Sequence, residues 1–352
     1  DAQNYRSNDI CFVKPSDFTD NEITEIHQSE FYISEYAKDK ARVLPTDSIL
    51  VTCIGIIGKV AINKVPCAFN QQINAIIPER KICDPRYVAY AIQNVQPQMQ
   101  NTANAAVVPI LNKTQFSNIE IPLPSLETQK QIVAFLDKVT SLISLRKQQL
   151  AKLDELVKAR FVEMFGEPAD TVNNLPASPM TAICQIIDGD RGKNYPKQEE
   201  FSDSGFCLFL NAKNVTAQGF SFENCTYITE EKDALLRNGK LCRGDVVLTT
   251  RGTIGNLAFY DTSVPYENIR INSGMVILRM NKQVVSEIFF IEQFKMQLDS
   301  IKSRIASGSA QPQLPISTMN KIEMILPPIE LQNQFAAFVE RVDKQKQTVQ
   351  QS

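Results

Sequence analysis

Histidine is almost missing from this chain: His27 is the only one in 352 residues. An ordinary zinc site and a nucleophile–histidine pair both need imidazole, so neither chemistry is supported. The eight cysteines form no CxxC pair, and they read as reduced, buried, small apolar residues of a cytosolic protein. No apolar run approaches the length of a membrane span, and the start of the sequence carries no signal-peptide pattern. No GxxxxGK[ST] phosphate loop occurs, which excludes a P-loop ATPase. Charge of one sign is also lacking: 37 Lys and Arg stand against 39 Asp and Glu, for a formal net charge of −2. That balance is not the footprint of an indiscriminate polyanion binder, so any nucleic-acid contact must come from local basic groups.

What is present is a long helical pattern. Residues 125–165 contain no Pro or Gly, and apolar positions recur at steps of four and three: Ile132, Leu136, Val139, Ile143, Leu150, Leu153, Val157 and Met164. Arg146 and Arg160 interrupt the seam. Such a stripe belongs to a helix packing along another helix, and at about 1.5 Å per residue it is about 60 Å long. Ser125 is the expected N-cap, and the sequence Gly166-Glu167-Pro168 is a stop signal.

The partner lies in an internal repeat with a period of about 200 residues. TCIGIIGK (52–59) aligns with TTRGTIGN (249–256), residues 11–18 align with 208–215, and Gln72-Ile73-Asn74 aligns with Arg270-Ile271-Asn272. Most clearly, NIEIPLPSLETQKQIVAFLDKV (118–139) aligns with KIEMILPPIELQNQFAAFVERV (321–342). The expected organisation is a first globular domain at 1–124, a central helix at 125–166, a second globular domain at 167–327 and a distal helix at 328–352. The fold class is α/β (α+β), with two repeated domains and two long antiparallel helices forming an intramolecular coiled coil of pseudo-two-fold symmetry. The second copy has the stretch 175–205 ahead of its first aligned strand, whereas the first copy has almost nothing ahead of Ile10. The distal helix is also shorter than the central one, so both ends read as incomplete.

The GDVVLTTRGTIG block, the PLPSLETQKQIVAFLDKV block and the two-copy arrangement resemble the specificity (S) subunit of type I restriction-modification systems, over essentially the whole chain. The resemblance implies two target recognition domains, each reading half of a bipartite site in double-stranded DNA. It implies helices that act as a spacer and as the docking surface for two methyltransferase subunits, with restriction/translocase subunits joining for cleavage. It also implies a prokaryotic, cytoplasmic protein. The chain has no Asn/Asp-Pro-Pro-Tyr/Phe motif and no Gly-rich S-adenosylmethionine loop. It is expected to be non-catalytic and to hold no cofactor, with S-adenosylmethionine in the partner subunit. Two alternatives remain open: the equivalent subunit of a system whose partner fuses methylation and cleavage, and a scaffold protein with a helical stalk.

Recognition domains need donors and acceptors on loops for base edges, and Lys or Arg for phosphates. The second domain offers a basic, turn-rich loop with Arg191, Lys193, Asn194, Tyr195 and Lys197. It also offers Asn211, Lys213 and Asn214 after a strand, Thr250, Arg251 and Thr253 at the glycine turn, Arg270 and Asn272, and the small-residue loop of Ser307, Ser309 and Gln311. The first domain offers Lys14, Ser16, Lys59, Gln72, Asn74, Asn104 and Lys113. Ile54 stands where the second copy has Arg251.

Overall fold

The computed structural model describes residues 7–103, 108–167, 175–306 and 313–351. The chain divides into two compact units, Asp1–Leu145 and Arg146–Ser352.

The first unit contains β1 (Ile10–Val13), β2 (Thr24–Ile26), β3 (Phe31–Ile33), β4 (Ile49–Thr52), β5 (Val60–Asn63), β6 (Cys67–Phe69) and β7 (Ile73–Ile76). Helices α1 (Pro85–Asn94), α2 (Gln96–Thr102) and α3 (Lys113–Ser117) follow, and then α4 (Leu126–Phe165), which continues into the second unit. The strands form two sheets, ordered β3-β1-β6 and β2-β5-β4-β7. β4 and β5 are buried at every position, so they carry continuous apolar runs where a half-exposed strand would alternate. One core of the unit lies between the β2-β5-β4-β7 sheet and α1, joining Val51, Val60 and Ile62 to Val88 and Ile92. α1 and α2 are separate helices broken at Val95; Pro97 sits in the first turn of α2, where its missing N–H costs nothing.

The second unit contains β8 (Ala177–Pro179), α5 (Met180–Ile183), β9 (Cys184–Asp188), β10 (Cys207–Leu210), β11 (Val215–Thr216), β12 (Gly219–Phe220) and β13 (Tyr227–Ile228). It continues with α6 (Glu230–Leu235), β14 (Val246–Thr249), β15 (Leu257–Phe259), β16 (Ile269–Ile271), β17 (Met275–Met280), α7 (Glu287–Ala306), α8 (Ile316–Met319), β18 (Glu323–Ile325) and α9 (Ile329–Gln351). Its sheets repeat those of the first unit: β13-β10-β16 matches β3-β1-β6, and β15-β14-β17 matches β5-β4-β7 with β9 added at the edge.

Pairing register corrects one part of the repeat. Val13 pairs with Phe69 and Leu210 with Ile271, whereas Thr52 pairs with Ile73 and Thr249 with Met275. Ile73 is therefore the counterpart of Met275, not of Ile271. The stretch from Thr249 to Met275 is five residues longer than that from Thr52 to Ile73, and the short Ile-Asn match fell across this insertion.

The 118–139 and 321–342 blocks have a structural cause for their likeness. Gln129 and Gln332 are both fully buried in the first turn of a helix. Gln129 Oε1 accepts from the Asp84 amide at 2.8 Å, while Nε2 donates to the Ile82 and Pro124 carbonyls, each at 2.8 Å. Gln332 Oε1 accepts from the Ser286 amide at 3.0 Å, and its Nε2 donates to the Val284 and Pro327 carbonyls at 3.1 and 2.8 Å. Gln129 ties the start of α4 to the start of α1, and Gln332 ties the start of α9 to the start of α7, using main-chain groups throughout.

Helix α4 starts at Ser125, whose Oγ accepts from the Thr128 amide, and ends at Gly166 with φ +80°. In the first unit it is held by Asp137, which accepts from Arg86 Nε at 2.6 Å and Tyr90 Oη at 2.7 Å. In the second unit its end joins an aromatic cluster in which the Phe161 ring lies 5.4 Å from Phe335 of α9 and 5.5 Å from Phe289 of α7. Lys346 Nζ reaches Asp154 at 2.8 Å. Later residues of α9 thus meet earlier residues of α4, which is antiparallel packing. The expected seam is only partly core: Val157 is buried, but Val139 and Ile143 are 38% and 51% exposed. Phe161 and Phe165 do the burying at the helix end, because four-residue steps keep them on one ridge with Val157.

Candidate nucleic-acid interface

The glycine turn that follows β4 and β14 has one construction in both units. Thr52 and Thr249 are fully buried. Thr52 Oγ1 accepts from the Lys59 amide and Thr249 Oγ1 from the Asn256 amide, each at 3.0 Å. The Gly58 and Gly255 amides reach the Thr52 and Thr249 carbonyls at 2.8 and 3.0 Å. Gly255 has φ +93°, a conformation that strains any L side chain, and a Cβ there would lie 2.2 Å from Leu298 Cδ1, which would have to move aside.

Past the threonine the backbone is clamped on both sides. Cys53 N donates to Gln72 O and accepts Leu111 N on its own carbonyl; Thr250 N donates to Gly274 O and its carbonyl takes Leu314 N, all within 2.8–2.9 Å. Ile54 then bridges to Ile110, and Arg251 to Gln313. Ile54 and Arg251 thus occupy equivalent places, each at the corresponding end of its own unit's sheet. In the second unit that end also receives the basic loop, because β9 finishes there: Asp188 pairs with Val276, next to the β14 end. Arg191 Nη2 donates to Asp188 Oδ1 at 3.1 Å and to the Ser273 carbonyl at 3.2 Å. Arg191 and Arg251, both exposed, line one shallow cavity of about 310 Å³ with Asp188 and Gln313.

The loop is stiffened from within. Burial pushes the Asp190 carboxyl upward in pKa, but amides of Gly192 and Arg237, each 2.7 Å away, and of Asn238 outweigh it and hold the group below its ordinary value. A carboxylate taking several main-chain N–H bonds stays ionised and fixes the turn. Arg237, exposed beside Gly192, belongs to this basic surface. Nothing in the sequence signalled it, since it joins the loop across 47 residues through Asp190.

A family model described as the type I restriction modification DNA specificity domain matches residues 1–155 and 180–352. The chain belongs to that family. The type I restriction enzyme MjaIX specificity subunit of Methanocaldococcus jannaschii is 24% identical over 367 residues, covering 96% of this chain and 80% of that subunit. The MjaVIII specificity subunit of the same organism is 25% identical over 286 residues, with 75% of this chain and 65% of that subunit covered. Among solved structures, the S subunit of a type I restriction-modification system from M. genitalium superposes with a TM-score of 0.51 at 16% identity, over 96% of this chain and 87% of that one. A chain from work on assembly and conformational transition of a type I system superposes with a TM-score of 0.55 at 16% identity, over 97% and 85%. These two likenesses establish the fold.

For a specificity-family chain, the useful division is between side chains offered to solvent and those the fold consumes. In the second unit Lys193, Lys197, Lys213 and Thr253 are exposed alongside Arg191 and Arg251. Asn272 Oδ1 caps the Gly274 amide at the same sheet end. Asn194 donates to the Leu235 carbonyl, Tyr195 packs edge-on against Phe209 at 5.8 Å, and Asn211 accepts from the Lys213 amide. Three expected contacts turn inward. Arg270 is 5% exposed, and its guanidinium is consumed by Asp233 and the Leu236 and Asn238 carbonyls. Asn214 is 1% exposed and holds the Ser221 and Asn224 carbonyls. Thr250 donates to the Gly274 carbonyl and is buried. These three are structural, because a fold with a near-neutral interior must satisfy every buried polar group it admits.

In the first unit Ser16 and Lys113 are exposed. Lys14 Nζ stands 3.0 Å over the Phe31 ring, and Lys59 pairs with Asp20 at 2.6 Å. Gln72 accepts from Asn70 Nδ2, and Asn74 lies on β7. By register the counterpart of Asn272 is Asn70, whose Oδ1 likewise takes the amide two residues on. Asn104, Ser307, Ser309 and Gln311 lie outside the described residues.

Proposed function

We propose that this chain is the DNA-reading subunit of a type I restriction-modification complex. Each unit reads one half of a bipartite double-stranded target. The observation that carries this reading is the duplication of one sheet end, with the same hydrogen bonds around Thr52 and Thr249 but different side chains at Ile54 and Arg251. A repeated frame with unlike tips is suited to two different half-sites. Arg191, Arg237, Arg251 and the neighbouring lysines supply phosphate contacts, and loop amides and hydroxyls supply base-edge contacts.

The long helices act as the spacer between half-sites and as the docking surface for two methyltransferase subunits, with restriction/translocase subunits added for cleavage. The chain itself is non-catalytic. S-adenosylmethionine belongs to the methyltransferase partner, which fits the lack of a cofactor loop in this sequence. The test is methylome sequencing of cells carrying the complete system. The expected result is methylation at one two-part sequence, altered at one half only when the loops of one unit are exchanged. Methylation with no sequence preference, or methylation unchanged by such exchange, overturns the proposal.

A further inference from the structure

The glycine turn of the first unit carries an apolar tip. Gly55 N donates to Pro109 O and Leu111 N to Cys53 O, each at 2.9 Å, and Ile54 bridges Ile110. Residues 53–55 and 109–111 therefore run as one short antiparallel ladder. Cys53, Ile57 and Leu111 join the core. Ile56, Val108 and Ile110 do not: they are 55%, 49% and 44% exposed, and Ile54 is half-buried.

The second unit builds the same ladder, with Leu314 N on Thr250 O at 2.9 Å and Arg251 bridging Gln313. There the tip is polar. Arg251 stands for Ile54, Thr253 for Ile56 and Gln313 for Ile110, and all three are exposed. Ile254 stays buried, as Ile57 does. The frame is kept, and the outward positions change chemistry.

Exposed apolar residues scattered singly are ordinary, but a set of them on one hydrogen-bonded frame marks a contact surface. The clamped backbone and the stiffness of β-branched side chains keep this set from turning away from water. Isoleucine carries no donor or acceptor, so phosphates and hydrogen-bonding base edges gain nothing from it. Lys59, at the end of the turn, is spent on Asp20 at 2.6 Å. Of the groups presented in the major groove, the thymine C5-methyl is the apolar one.

We propose that Ile54, Ile56 and Ile110 determine specificity in the first half-site by packing on thymine C5-methyl groups, an assignment that rests on the DNA-reading proposal above. The second unit, on the same frame, offers charge and hydrogen bonds instead.

The test uses the complete methyltransferase complex and the target that methylome sequencing gives. The half-site of the first unit is the one altered when first-unit loops are exchanged. Each of its thymines is replaced in turn by deoxyuridine, which lacks only the C5-methyl. At one thymine or more, binding is expected to weaken about fourfold, the worth of one buried methyl group. Ile56→Thr and Ile110→Gln, both at exposed positions, should bring thymine and deoxyuridine duplexes to equal affinity with the melting temperature unchanged. A half-site with no A·T pair, or thymine and deoxyuridine bound alike by the unaltered complex, overturns this proposal and leaves DNA reading intact. A deoxyuridine effect that survives both variants also overturns it, because other residues then make the contact. 5-Methylcytosine carries the same group, so each cytosine of the half-site is methylated in turn. Tighter binding there, with no thymine responding, makes cytosine the source and overturns the thymine assignment. Loss of a methyltransferase subunit from the Ile56→Thr complex assigns the tip to a protein partner and overturns it as well. A complex with no sequence preference overturns both proposals.

Discussion

Arg270 Nε lies 2.5 Å from Asp233 Oδ1, with both side chains under a tenth exposed. Lys240 Nζ meets the other carboxylate oxygen at 2.6 Å. Breaking a buried pair strands one charge, so Arg270→Ala is expected to cost about 3–5 kcal/mol in chemical denaturation. Burial raises the Asp233 pKa, but Lys240 and Arg270 outweigh it and the native value is depressed. The stabilisation is therefore complete above the ordinary carboxylate pKa and fades as pH falls through the lower native one. Asp233→Asn should remove that acid-side slope. An unchanged slope would mean the pair does not govern acid stability.

Gln129→Ala removes the side-chain partner of the Asp84 amide and of the Ile82 and Pro124 carbonyls, and Gln332→Ala that of the Ser286 amide and of the Val284 and Pro327 carbonyls. A loss of about 1–3 kcal/mol for each change is expected, and each loss should appear in the melting of its own unit. Equal effects of both changes on both units would contradict the separate clamps.

Arg251→Ala should weaken binding to all DNA sequences alike and lower the salt slope by about one, the signature of a lost phosphate contact. Ile54→Arg, on the matching frame of the first unit, should raise the slope by about one. Relaxed preference at a single base pair would instead assign Arg251 to base readout.

Seven residues inserted into both α4 and α9 should lengthen the preferred gap between half-sites by about 10 Å, or about three base pairs, without changing either half-site. Selection from randomised duplexes would reveal this directly. A fixed gap would remove the spacer role.

Burial pushes the thiols of Cys67, Cys184 and Cys207 up to about 12. The thiolate is the reactive form, so these three should resist alkylation at neutral pH until the protein unfolds. Exposed Cys242 should label first, as mass spectrometry of timed samples would record.

The long helix and the repeat were legible because each rests on local pattern: a sustained apolar step, and a block whose buried glutamine recurs with its prolines. The role of Arg270 was not legible, since its partner Asp233 lies 37 residues away and only the folded chain joins them. The basic character of the 188–197 loop could be read from composition. Its convergence with Arg251 could not, because it depends on β9 and β14 ending on either side of the start of β17. The insertion before β17 misled the alignment for a related reason: two matching residues carry less information than a hydrogen-bonded register.

The Gln129 and Gln332 clamps address only carbonyls, which every residue type supplies, and amides, which every type but proline supplies. Such a fastener is blind to the identity of what it holds. The flanking segments, Ile82 to Asp84 and Val284 to Ser286, can diverge without loosening it. A lineage can therefore rewrite these flanking segments freely while inheriting the two glutamine clamps unchanged.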